Sequence, residues 1–190
     1  AGRRLFARHG YDATSIRQLT ADAGANLGAV TYHFGSKQGL YHAVVERALT
    51  PFADRVVAAS HEGADALERA TSVVRAYFEV LRAYPDVPML LLQELMAGRV
   101  TPPPVTTALQ RVTTALDELV TKGQAEGSVR AGDPLLFGLS IIAQPIHLTI
   151  VANMLAHVAG LDQSDATTRA RVYAHTAAFV RAGLRAEDER

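Results

Sequence analysis

No stretch of this chain alternates apolar and polar residues as a half-buried strand does, whereas apolar residues recur every three or four positions from end to end. Such a chain buries its apolar side chains as packed helices. The punctuation predicts helices over residues 1–9, 15–23, 27–34, 36–59, 64–84 and 87–96, then from the prolines at 102–104 to about residue 127, and over 134–159 and 164–186. Gly10 and Gly24 stand where two of them stop, and Ser15 with Gln18 has the spacing of a capping box. Asn26 is placed to cap the third, and Ser36 starts the fourth. Pro51 and Pro145 fall inside helical stretches, so a bend is expected at each. Residues 87–96 are apolar nearly all round and are expected to be buried. The fold class is therefore all-α. Three short helices in residues 1–47 make an N-terminal helix-turn-helix domain, and residues 48–190 make a larger helical bundle.

Charge separates the two parts. The chain is neutral overall, but residues 1–48 hold six Lys and Arg (Arg3, Arg4, Arg8, Arg17, Lys37, Arg47) against three acids (Asp12, Asp22, Glu46). A basic head on a mildly acidic body suits a phosphate-binding module carried by a domain with another job. There is no cysteine, which removes disulfides, thiolate catalysis and cysteine-ligated zinc and suits a cytoplasmic protein. No signal peptide is visible in residues 1–30. The most apolar run, residues 134–160, carries Gln144, Pro145, His147, Asn153 and His157, and reads as a buried core helix rather than a membrane span. The chain opens on Ala1, already inside what reads as a helix, so a true N-terminus further upstream is expected.

The second and third helices, joined by Gly24, Ala25 and Asn26, have the form of a helix-turn-helix whose second helix enters the major groove. At about 100° per residue, Val30 and Phe34 point inward and Gly28, Ala29 and Tyr32 outward, with Thr31 and His33 on the flanks. An ordinary surface helix carries long charged residues on its outer face. This one carries small residues, a hydroxyl, a phenol and an imidazole, which can press close to base edges and phosphates.

The wording of this segment is itself distinctive. Leu5 to Tyr11, Thr14-Ser15-Ile16-Arg17, Ala23-Gly24, Tyr32 to Lys37 and Leu40-Tyr41 closely resemble the DNA-binding domain of TetR-type repressors over about the first 48 residues. The resemblance implies a homodimer on near-palindromic double-stranded operator DNA, a four-helix dimer interface from the last two long helices, a ligand pocket among the middle helices, and repression relieved by ligand. It assigns Arg17 to a base edge or phosphate and Ser15 to a phosphate. Leu27, Gly28, Ala29, Thr31 and Tyr32 face the groove, while His33 and Lys37 hold the backbone. Leu27 is read two ways, because its helical angle lies near Val30 and Phe34 while the resemblance sets it against DNA. Gly28 and Ala29 have no hydrogen-bonding side chain, so base reading leans on Arg17 with guanine, on thymine methyl contacts and on DNA shape.

Elsewhere, Ser140, Gln144 and His147 share one face of the 134–159 stretch. Gln144 and His147 are candidates for the pocket of a small, largely apolar effector, or alternatively for hydrogen bonds in the core or across a dimer. Glu94 is either a pocket carboxylate or the partner of an arginine. On the last helix Val172, Thr176, Phe179 and Gly183 line up and Val180 extends the face, which makes these five the candidate dimer surface. His42 and Glu46 have a metal-ligand spacing but lack a third ligand. No phosphate loop, catalytic triad or paired-carboxylate pattern stands out, so no enzyme activity, cofactor or metal is expected. Two rivals stay open: a dimeric DNA-binding protein without a ligand, and a small helical enzyme using His147 or His157.

Overall fold

The computed structural model describes residues 1–98 and 100–186, which form ten α-helices and no strand longer than an isolated bridge. The chain is all-α. Its helices divide between two compact units: residues 1–52 with 84–109, and residues 53–83 with 110 onward. The expected boundary after residue 47 follows the order of the chain, whereas compaction also groups residues 84–109 with the first 52.

The first unit contains α1 (Gly2–Ala13), α2 (Ile16–Ala23), α3 (Leu27–Phe34), the start of α4 (Lys37–Ala59), α6 (Val87–Ala97) and the first turns of α7 (Pro103–Ala125). Phe6, Leu19, Val30, Tyr41, Val45, Leu49 and Leu90 form its core. The Phe6 ring stands edge-on to Tyr41 at 4.8 Å. Gly10 interrupts α1 as expected (φ 74°, ψ 176°), but the chain regains helical form afterwards and runs to Ala13. The Thr14 hydroxyl donates to the Gly10 carbonyl at 2.7 Å and fixes that kink.

Helix α6 packs on α1 and is tied at two more points. The Arg3 guanidinium donates to Asp86, and the Tyr41 hydroxyl donates to the buried Glu94. The expectation that residues 87–96 are buried all round is corrected. Val87, Pro88, Leu90 and Glu94 are buried, while Leu95 and Met96 are 80% and 76% exposed. A helix of 11 residues packed mainly against α1 buries a single stripe, and apolar composition does not enlarge that stripe.

The second unit contains α5 (Ala66–Ala83), α8 (Pro134–Ile150), α9 (Ala152–Ala159), α10 (Ala166–Leu184) and the remainders of α4 and α7. Helix α5 packs against both α8 and α10. Its stripe Leu67, Ala70, Val74, Tyr77 and Leu81 is buried throughout, and burial pushes the Tyr77 phenol well above its ordinary value. At Gly123 a Cβ would stand 2.5 Å from Val129 and 2.6 Å from Ala66, so only glycine lets the chain approach there.

Helix α4 runs through Pro51 to Ala59, the extent expected of it. The 134–159 stretch breaks at Val151 (φ −93°, ψ 7°) rather than at Pro145, and α9 leaves α8 at 67°. Pro145 lies buried inside a continuous α8. The break is held by tertiary bonding, because the Gln163 amide donates to the Leu148 carbonyl at 2.9 Å, near the end of α8. No single described helix is long and apolar enough to cross a membrane; only the bent α8–α9 pair passes that test.

The start of α10 gives a pH-dependent prediction. Asp165 caps it by accepting from the Thr168 N–H at 2.6 Å, and that bond holds its carboxyl below the ordinary 3.8. A lowered folded-state pKa contributes stability above the unfolded value, and the contribution is lost as pH falls through the folded one. Asp165→Asn keeps a capping oxygen but does not titrate. Thermal denaturation between about pH 5 and pH 2 should therefore fall less steeply for the variant than for the parent.

Candidate nucleic-acid interface

The elements that would meet DNA are held by local chemistry. The Ser15 N–H donates to the Gln18 side-chain oxygen at 2.8 Å, and the Gln18 N–H donates to the Ser15 hydroxyl oxygen at 3.2 Å, which completes the capping box of α2. Gly24 ends α2 in the left-handed region (φ 61°), where a side chain would be strained. The Asn26 side chain accepts from the Gly28 N–H at 2.8 Å and starts α3. At the far end, the Gly35 N–H donates to the Thr31 carbonyl at 2.9 Å.

Every residue of α3 except Val30 is exposed. Tyr32 is 86% exposed, and its ring meets the His33 ring edge-on at 5.1 Å. Leu27 is 48% exposed, so it lies on the outer side of α3 and not in the core. Phe34, expected inward, is 39% exposed. It sits at the last position of α3, just before Gly35 turns the chain, where less of the unit covers it. Gly28, Ala29 and Thr31 are exposed with them, as are Ser15 and Arg17 beside and within α2. The Ser15 hydroxyl also donates to Gln18 at 2.8 Å, so donation to a phosphate would compete with its own cap. Arg4 is paired with Asp22 at 2.6 Å and Arg3 with Asp86, which removes two of the six basic residues of the head from the free positive charge.

Lys37 opens α4, half-buried. Its ammonium lies 4.3 Å from the centre of the Tyr11 ring and donates to the Asp12 carbonyl at 3.3 Å.

The other candidate residues fall in less uniform places. Glu94 accepts from the Tyr41 hydroxyl. Gln144 is half-buried on α8, and His147 is exposed. His147 shares the outer side of α8 with Leu136, Leu139 and Ile150, which are 60%, 42% and 42% exposed. On α10 the expected dimer face divides. Val172, Thr176 and Val180 are buried within the chain, whereas Phe179 is 60% exposed and Gly183 is open. The reason is that α10 packs against both α5 and α8, so the stripe through Val172, Thr176 and Val180 already has partners.

Comparison with known proteins bears on both ends of the chain. Residues 1–44 match the bacterial regulatory proteins of the tetR family, and residues 66–180, more than half the chain, match the tetracyclin repressor-like C-terminal domain. This chain belongs to the TetR family. Among its relatives, the transcriptional regulator RutR of Escherichia coli is 30% identical over 93 residues, covering 49% of this chain and 43% of that protein. The matched segments span less than half the length of the curated relatives. FadR from Bacillus subtilis, solved with stearoyl-CoA, superposes with a TM-score of 0.76 at 18% identity, over 96% of this chain and 95% of its own. AibR, solved with isovaleryl coenzyme A and operator DNA, gives 0.72 at 15% identity, over 93% and 92%. At such identities the superpositions establish the TetR fold.

Two residues of this TetR-family reader escaped the sequence reading. Tyr11 and Tyr41 appear there only as letters of a motif, yet they hold Lys37 and Glu94 respectively. No spacing rule reveals such pairs, because Tyr41 and Glu94 are 53 positions apart.

Proposed function

We propose that this chain binds a near-palindromic operator as a homodimer through residues 1–47, represses transcription there, and is released when a small, largely apolar molecule binds within residues 48–190. The observation that carries the reading is α3. It is a helix capped at both ends, exposed at every position but one, and bearing no long charged side chain. A solvated helix gains nothing from exposing Leu27 and Tyr32, whereas a helix in the major groove gains close approach and thymine contacts. Dimerisation is supported by the unpartnered apolar sides of α8 and α10, where Leu136, Leu139, Ile150 and Phe179 are exposed. His147 fits that surface better than it fits a pocket. The effector is supported by Gln144 and by the ligands bound in FadR and AibR.

The test is selection from a pool of random duplexes. The expected product is a near-palindrome whose half-sites are about 10–10.5 base pairs, or a multiple of that, apart. Failure to enrich any sequence would overturn the reading. On the selected duplex, Arg17→Ala should weaken binding by about 1–3 kcal/mol if its guanidinium makes a bidentate base contact. Unchanged affinity at several salt concentrations would show that Arg17 is not docked as assigned.

A further inference from the structure

We propose that Tyr11 is a positioning residue for DNA binding: its ring holds the Lys37 ammonium ready for a backbone phosphate. The proposal rests on the DNA-binding reading and adds a residue to it.

Lys37 stands where helix energetics disfavour it. It is the first residue of α4, whose first turn contains no acid, so its charge faces the positive end of the helix dipole. Its placement therefore works against α4 and calls for a compensating partner. Two are present, the Tyr11 ring at 4.3 Å and the Asp12 carbonyl at 3.3 Å, both supplied by the part of α1 beyond the Gly10 kink. An ammonium within about 6 Å of a ring centre is attracted by the negative π face. It carries three protons, and the Asp12 carbonyl takes one, which leaves donor capacity for a phosphate oxygen.

The ring that holds Lys37 is itself held. Tyr41, 2% exposed, meets Tyr11 at 5.0 Å between centroids and 59° between planes, and its hydroxyl donates to Glu94. Tyr11 thus stands between a buried, anchored phenol and a surface cation. A lysine loses much rotamer freedom when it is fixed against a phosphate. A side chain fixed before binding avoids about 0.5–1.5 kcal/mol of that loss, which is roughly a 2- to 10-fold gain in affinity for each reader engaged.

The test needs no operator, because phosphate contacts are independent of sequence. A fluorescent duplex of arbitrary sequence is titrated across a range of salt with the parent, Tyr11→Leu, Tyr11→Phe, Lys37→Met, and Tyr11→Leu with Lys37→Met. Tyr11→Leu should weaken binding roughly 2- to 10-fold per reader, while Tyr11→Phe, which keeps the π face, should bind like the parent. Lys37→Met should lower the slope of log affinity against log salt by about one per reader. In the Lys37→Met background, Tyr11→Leu should have no further effect. Without DNA, the Lys37 Hε resonances should show an upfield ring-current shift in the parent and in Tyr11→Phe that disappears in Tyr11→Leu.

Additive losses from Tyr11→Leu and Lys37→Met would overturn the proposal while leaving DNA binding intact, because Tyr11 would then act only through packing. A parent that binds the duplex with no salt slope would instead overturn the DNA-binding reading, and this proposal with it, even if the ring-current shift were present.

Discussion

Leu139→Glu is expected to turn the protein into a monomer at micromolar concentration and to weaken operator binding by about 10²- to 10⁴-fold, the gain that two linked readers have over one. Leu139 is 42% exposed on α8, so a carboxylate there meets water in the isolated chain and the fold should survive. In the proposed dimer the same side chain lies against the partner, and two-fold symmetry presents the substitution twice. Each carboxylate would then be buried without a counter-charge, at a cost larger than the apolar contact it replaces. Phe179, 60% exposed on α10, belongs to the same proposed surface. Sedimentation velocity reads the assembly, anisotropy with the selected duplex reads the affinity, and thermal denaturation checks that the monomer is folded. A Leu139→Glu protein that still sediments as a dimer would place the interface elsewhere.

What the sequence made legible is what neighbouring residues decide among themselves. The Ser15 and Gln18 box, the Asn26 cap and the Gly24 stop involve partners within four positions, and all stand in the structure as the spacing predicts. The α5 stripe is equally local, since its period alone selects the buried side. Features decided at a distance were not legible. Nothing around Val151 marks a helix end, because the bond that accompanies the break comes from Gln163, 15 positions from Leu148. Pro145 carries a strong local signal, yet its ring is accommodated in the buried side of α8. The outer residues of α6 read as core because composition reports what a helix can bury and not what lies beside it. On α10 the same ambiguity merged two surfaces into one, and only packing separates Val172, Thr176 and Val180 from Phe179. The candidate DNA contacts were chosen by residue type and resemblance, and for them the structure supplies exposure and anchoring.

The other large effect is expected at Gly10. Its backbone lies at φ 74° and ψ 176°, a region essentially reserved for glycine. An added Cβ would also stand 3.0 Å from the Gln93 side-chain oxygen on α6. That oxygen belongs to a flexible side chain and can give way, so the backbone strain decides the outcome. Gly10→Ala should destabilise the reader unit by about 1–3 kcal/mol, or roughly 5- to 150-fold in its local opening equilibrium. The strain is relieved only if the segment Tyr11–Ala13 moves, which would break the 2.7 Å bond from Thr14 to the Gly10 carbonyl and carry the Tyr11 ring away from Lys37. Hydrogen exchange should therefore quicken by that factor in peptides from α1 and α6, with peptides from α5 and α10 unchanged. Duplex affinity should fall with it. Exchange in α1 matching the parent's would mean that this position tolerates a side chain and that the kink can be kept without glycine.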